Sequence, residues 1–113
     1  MLRKSVLTRL MRRAPDSPGD ALSHLEEGVR LTEQGVFAEA IVEYRKALAQ
    51  LSDSEPVIYQ MLGAAYERVE KPKEAVTAYE KYLELAPNGS YAAAIRSILT
   101  QLKREAAGEQ IIP

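Results

Sequence analysis

His24 is the chain's single imidazole, and so the first place to look for acid–base chemistry near neutral pH. A histidine base needs a carboxylate to orient it, and no acid partner for His24 can be read from the sequence. A structural histidine on the first helix is expected, facing outward or toward the neighbouring layer. The chain has no cysteine, which removes thiolate metal sites and a disulfide framework. Its carboxylates form no cluster with metal-ligand spacing. The Glu26-Glu27 pair and the Lys71 and Lys73 pair read as solvated helix ends. Without a strand there is no place for a phosphate-cradling glycine loop. The expectation is a chain without catalytic residues, metal or cofactor.

The 113 residues suggest one domain, and Ala, Leu, Glu, Lys and Arg dominate, which favours helix. Net charge is −1 but unevenly placed. Residues 1–20 hold five Lys/Arg and two Asp, a balance of +3, while residues 21–113 hold ten Lys/Arg and fourteen Asp/Glu, a balance of −4. A mildly acidic body is a poor match for nucleic acid. No apolar run is long enough to span a membrane.

The elements repeat with a period of 35 residues. Gly28 recurs as Gly63, Glu39-Ala40 as Glu74-Ala75, Tyr44 as Tyr79, Lys46 as Lys81 and Leu48 as Leu83. Apolar residues spaced by three and four predict helices over 21–34, 37–51, 56–70, 72–86 and 90–107. Gly35, Pro72 and Pro87-Asn88-Gly89 punctuate them, with a serine cap and a first-turn proline expected around Ser54 and Pro56. The links of two to four residues require neighbouring helices to be antiparallel.

This pattern resembles the tetratricopeptide repeat, a helix–turn–helix unit. Residues 56–89 carry it best, through Tyr59, Leu62-Gly63, Tyr66, Ala75, Tyr79 and Pro87. Tyr82 departs, standing where the family has a small residue. Residues 21–54 agree at Gly28, Leu31, Ala40, Tyr44 and Ala47, and depart at His24, Glu27 and Ser52. The resemblance implies an all-α solenoid, with a repeat domain over 20–108 and a capping helix at 90–107; outside it, residues 1–19 read as a basic amphipathic segment and Pro/Gly linker, and residues 109–113 as a tail. Gly28 and Gly63 are expected to let Ala40 and Ala75 cross closely, with Tyr44, Tyr66 and Tyr79 supplying most of the packed area. Ala47 is expected to meet Tyr59, and Tyr82 to meet Ala93, large against small at each junction.

In this family the first helix of each unit lines a partner groove. By position that implies Leu22, Leu25, Val29, Thr32 and Glu33, then Val57, Gln60, Ala64, Glu67 and Arg68, and Tyr91, Ala94, Ile98 and Gln101 from the last helix. An apolar groove suits an amphipathic helix or an apolar peptide. Members that grip a chaperone's C-terminal carboxylate use Lys, Asn and Arg, where this chain has Leu25, Val29, Met61, Tyr91 and Ile95. A tail binder of that kind is therefore not expected. The implied role is a protein-binding scaffold or adaptor in the cytoplasm. The competing reading is that Leu22, Leu25 and Val29 are core.

Residues 1–14 place Val6, Leu7, Leu10, Met11 and Ala14 on one side of a helical projection, with Lys4, Thr8, Arg9 and Arg12 opposite, while Arg3 and Arg13 fall on the apolar edge, where long side chains can snorkel. Four readings stand: a frayed tail, a helix over the chain's own groove or on a partner, an anchor on an anionic membrane surface that would make the chain a peripheral membrane adaptor, and a mitochondrial targeting segment.

Overall fold

In the computed structural model, which describes residues 18–108, prolines open three of the five helices. These are α1 (Pro18–Glu33), α2 (Phe37–Gln50), α3 (Pro56–Arg68), α4 (Pro72–Leu85) and α5 (Ala92–Ala107). Proline suits a first turn because its φ is already helical and its missing N–H would have had no partner there. The expectations for Val6, Leu7, Arg9, Leu10, Met11 and Arg12, and for the tail, lie outside the described residues. Pro18 and Gly19 correct one boundary: they belong to α1 rather than to a linker. No strand occurs among the described residues.

The chain divides after Ser54 into two compact units. In the first, α1 packs on α2, burying Ala21, Leu31, Ala40, Ile41, Tyr44, Ala47 and Leu48. In the second, α4 packs on both α3 and α5. Its core joins Ala75, Tyr79 and Tyr82 to Ala92, Ile95, Leu99 and Leu102, with Tyr59 and Tyr66 half-buried against it.

The period reappears as geometry. A Cβ on Gly28 would lie 2.5 and 2.7 Å from the Tyr44 Cε1 and Cδ1 atoms, and one on Gly63 the same 2.5 and 2.7 Å from those of Tyr79. The expected alanine crossing is therefore corrected: each glycine makes room for a tyrosine ring. The tyrosine hydroxyls also reach back in register. Tyr44 Oη lies 2.8 Å from Thr32 Oγ1, and Tyr79 Oη donates to Glu67 at 2.5 Å. Thr32 and Glu67 are again 35 positions apart. Tyr66 contributes less than its two companions, being only half-buried.

Both hairpin turns close alike. Val36 N–H bonds Leu31 O at 2.8 Å, and Lys71 N–H bonds Tyr66 O at 2.9 Å, the six-to-one bond of a Schellman motif. The left-handed residue is Gly35 (φ 80°) in the first turn but Glu70 (φ 60°) in the second. A side chain in that region costs roughly 1–2 kcal/mol. Glu70→Gly is therefore expected to raise stability by about 0.5–1 kcal/mol once the glycine's extra unfolded-state entropy is subtracted. Chemical denaturation of the two chains checks this. The serine cap is a correction: the residue before α3 is Glu55, with no side-chain cap bond, and Ser54 Oγ donates instead to Leu51 O at 2.8 Å.

The last link runs over residues 86–91, longer than the expected two to four. Tyr82 occupies the space it encloses. Only 3% exposed, its hydroxyl accepts the Tyr91 N–H at 3.0 Å, and the two rings meet edge to face with centroids 6.1 Å apart. Ala93 is exposed, so it is not the small partner expected of Tyr82; Ala92 is the alanine in that core.

Candidate interaction surfaces

On α1 the turns facing α2 are filled by Ala21, Gly28 and Leu31. Beside them runs a second apolar line at spacings of three and four. Leu22 is 57% exposed, Val29 is 37% exposed and Leu25 is half-buried. Exposed Glu26 and Glu33 border it. Thr32 ends the line, tied to α2 through Tyr44.

On α3 the expected residues follow the same spacing. Val57 is exposed, Gln60 and Ala64 are half-buried, and the Glu67 carboxylate is held from behind by Tyr79. Tyr91, just before α5, and Ala94 on it are exposed, whereas Ile98 is half-buried against the core. Ile95, assigned by resemblance to a carboxylate-gripping position, is 1% exposed and belongs to the core. Tyr91 is the residue that precedes α5 rather than part of it, so the fourfold spacing to Ile95 does not hold the two on one helical face.

Sequence reasoning missed a depression of about 330 Å³ in the second unit, lined by Glu67, Glu70, Pro72, Leu102 and Glu105. It also missed the partner of His24. The Nδ1 atom lies 2.7 Å from Glu43 Oε1 on α2, both half-buried, and Lys46 Nζ is 3.6 Å from the other carboxylate oxygen. No local signal marks a contact between residues 19 positions apart. On the exposed side of α1, Arg30 pairs with Glu27 and holds that carboxyl below its usual range, chiefly through the hydrogen bond. Lys103 bridges to Glu80 at 3.0 Å, joining α5 to α4. Among the described residues no group of three His, Asp or Glu is arranged to hold a metal ion, and no helix is long and apolar enough to cross a membrane.

Burial, and then the bond to Glu67, push the Tyr79 phenol well above its ordinary value. An unfolded tyrosine titrates near pH ~10. The native state therefore keeps its proton where the unfolded chain loses it. This contribution is complete below pH ~10 and is lost as pH rises from there through the native value. Thermal midpoints compared at about pH 9 and about pH 11 should fall more for the wild-type chain than for Tyr79→Phe.

Residues 56–89 match the family model of the tetratricopeptide repeat. Over 83 residues the chain is 36% identical to sperm-associated antigen 1 of Rattus norvegicus, a match covering 67% of this chain and 9% of that protein. The chain thus matches less than a tenth of the length of this relative. The matched span is α3 and α4 with their Schellman turn, and the same glycine–tyrosine contact recurs 35 residues earlier. All-helical over its described residues, and built on a repeat that serves protein–protein interaction rather than catalysis, this chain is a tetratricopeptide-repeat protein.

Proposed function

We propose that this protein is a non-catalytic scaffold or adaptor subunit in the cytoplasm. It holds an amphipathic helix or apolar peptide of a partner on the outer face of a first-of-pair helix, α1. The observation that carries this is the α1 line, where Leu22 and Val29 stay open to solvent although nothing in the α1–α2 hairpin requires apolar residues there. A line of this kind, bordered by carboxylates, fits the anchors of an amphipathic helix. It does not fit a peptide's C-terminal carboxylate, which requires donors and repels Glu26 and Glu33. Two repeats present little surface, so affinity within a larger assembly arises from several such contacts together.

Leu25→Glu combined with Val29→Glu tests this. Partner recovery should fall by at least about tenfold, since two apolar anchors are replaced by buried charge. Far-UV circular dichroism should stay near wild type. A double variant that unfolds would make these residues core, and one that still binds would move the docking face elsewhere.

A further inference from the structure

We infer that the helix received on the α1 line is basic along one edge only. It carries an apolar stripe, with lysine or arginine on the edge that meets Glu26 and Glu33 and neutral residues on the other. This rests on reading the line as a docking face, and it names the chemistry of the partner that fits there.

The first observation is where the carboxylates stand. An α-helix turns by about 100° per residue. By that spacing Leu25, Val29 and Leu22 follow one another within about 60° of arc around α1. Glu33 and Glu26 come next beyond Leu22, within about 40° of it, and both are exposed. Beyond Leu25, on the opposite side, come Thr32, Ala21 and Gly28. Thr32 is tied to the Tyr44 hydroxyl, and Ala21 and Gly28 are buried. The apolar line therefore has one acidic edge and one edge to which α1 contributes no charge.

The second observation is that the charge on this edge is unanswered. Within α1, Asp20, Glu26, Glu27 and Glu33 stand against the single cation Arg30, which is engaged by Glu27. Among the described residues neither Glu26 nor Glu33 has an ion-pair partner. The α2 carboxylate that reaches α1, Glu43, is already matched by His24 and Lys46. A cationic edge on the partner complements Glu26 and Glu33, whereas an acidic edge is repelled.

The third is register. Glu26 and Glu33 are seven positions apart, two turns or about 10.5 Å along the axis, and Leu22 and Val29 have the same separation. A helix that repeats its apolar residues and its cations every two turns meets both rows at once. The single charged edge also sets direction. Laid face down on the line, such a helix brings its cations to the Glu26 side in only one of its two orientations. Which of its edges is basic thus decides whether it runs parallel or antiparallel to α1.

The test uses three fluorescent, helix-constrained peptides of about four turns. They share one leucine stripe and bear lysine, glutamine or glutamate along one edge. Binding to the full-length chain is followed by fluorescence anisotropy. The lysine-edged peptide is expected to bind about fivefold or more tighter than the glutamate-edged one, with glutamine between them. In about 0.5 M salt the difference should shrink to less than about twofold. Glu26→Lys with Glu33→Lys, at exposed positions outside the hairpin core, should reverse the order. A peptide with lysine on both edges should gain less than about twofold over the one-edged peptide.

The glutamine-edged peptide reads the docking face alone. Equal affinity of all three peptides, with glutamine-edged binding still lost in Leu25→Glu/Val29→Glu, would keep the docking face and overturn the basic edge. A second lysine edge that gains as much as the first would overturn its one-sidedness. Glutamine-edged binding that is absent, or that survives Leu25→Glu/Val29→Glu, would remove the docking face itself. A chain that sediments as a dimer, and as a monomer in Leu25→Glu/Val29→Glu, would seat a second copy on the line and overturn the proposal equally.

Discussion

Gly63→Val should unfold the second unit at temperatures where the wild-type chain is stable. The first atom of any side chain at position 63 would lie 2.5 to 2.7 Å from three atoms of the Tyr79 ring. That ring cannot swing aside. It is buried among Ala75, Tyr82 and the apolar face of α5, and its hydroxyl is anchored on Glu67. Valine adds two further methyl groups to the same collision. The overpacking cost is about 3 kcal/mol, a large part of the ~5–15 kcal/mol that holds a domain together. Gly63→Ala separates the contributions: the clash remains, while alanine returns ~1 kcal/mol of helix propensity, for a net loss of about 1–2 kcal/mol. Combining Gly63→Ala with Tyr79→Leu should cost less than the sum of the single changes, because the smaller side chain vacates the contested space. Urea denaturation of the four chains measures this coupling. Strict additivity would mean that the glycine is there for another reason.

Tyr82→Ala is the second large effect, and its sign opposes what family resemblance suggests. The resemblance implies a small residue at this position, so the substitution looks like a return to type. Here the ring is buried and forms the joint between α4 and α5. Removing it empties a full aromatic side chain from the core, at about 3–5 kcal/mol. Tyr82→Phe retains the ring but leaves the Tyr91 N–H without its acceptor, at about 1 kcal/mol. Hydrogen exchange should show amides of α5 losing protection in Tyr82→Ala and keeping most of it in Tyr82→Phe. A chain stabilised by Tyr82→Ala would show that Tyr82 is tolerated rather than required.

Much of the fold was legible because its signals are local. Apolar spacing located all five helices, and prolines placed the starts of α3 and α4 within a residue. The period linked Gly28 to Gly63 and Tyr44 to Tyr79 before any contact was known. What touches those glycines was not legible, since Ala40 and Tyr44 lie on the same helical face and only the three-dimensional crossing selects the ring. His24 and Glu43 were separately visible, but a side-chain pair between helices leaves no mark in spacing. The left-handed Glu70 escaped notice because turn reasoning looks for glycine, which the first turn has and the second lacks. On the interaction surfaces, spacing found the line Leu22, Leu25 and Val29 but could not separate open positions from packed ones. Ile95 and Ile98 show the limit. Three residues apart on one helix, one is core and the other half-buried.

Photo-crosslinking from single positions of the full-length chain tests the docking face most directly. A photoreactive phenylalanine analogue replaces Val29 on α1 or Val57 on α3, with Val42, equally apolar and exposed on α2, as the control. If the first helix of a pair is the docking face, position 29 or position 57 gives an adduct with a foreign protein and position 42 does not. An adduct from position 42, with none from 29 or 57, would contradict the assignment and place the binding surface on the second helix of the pair.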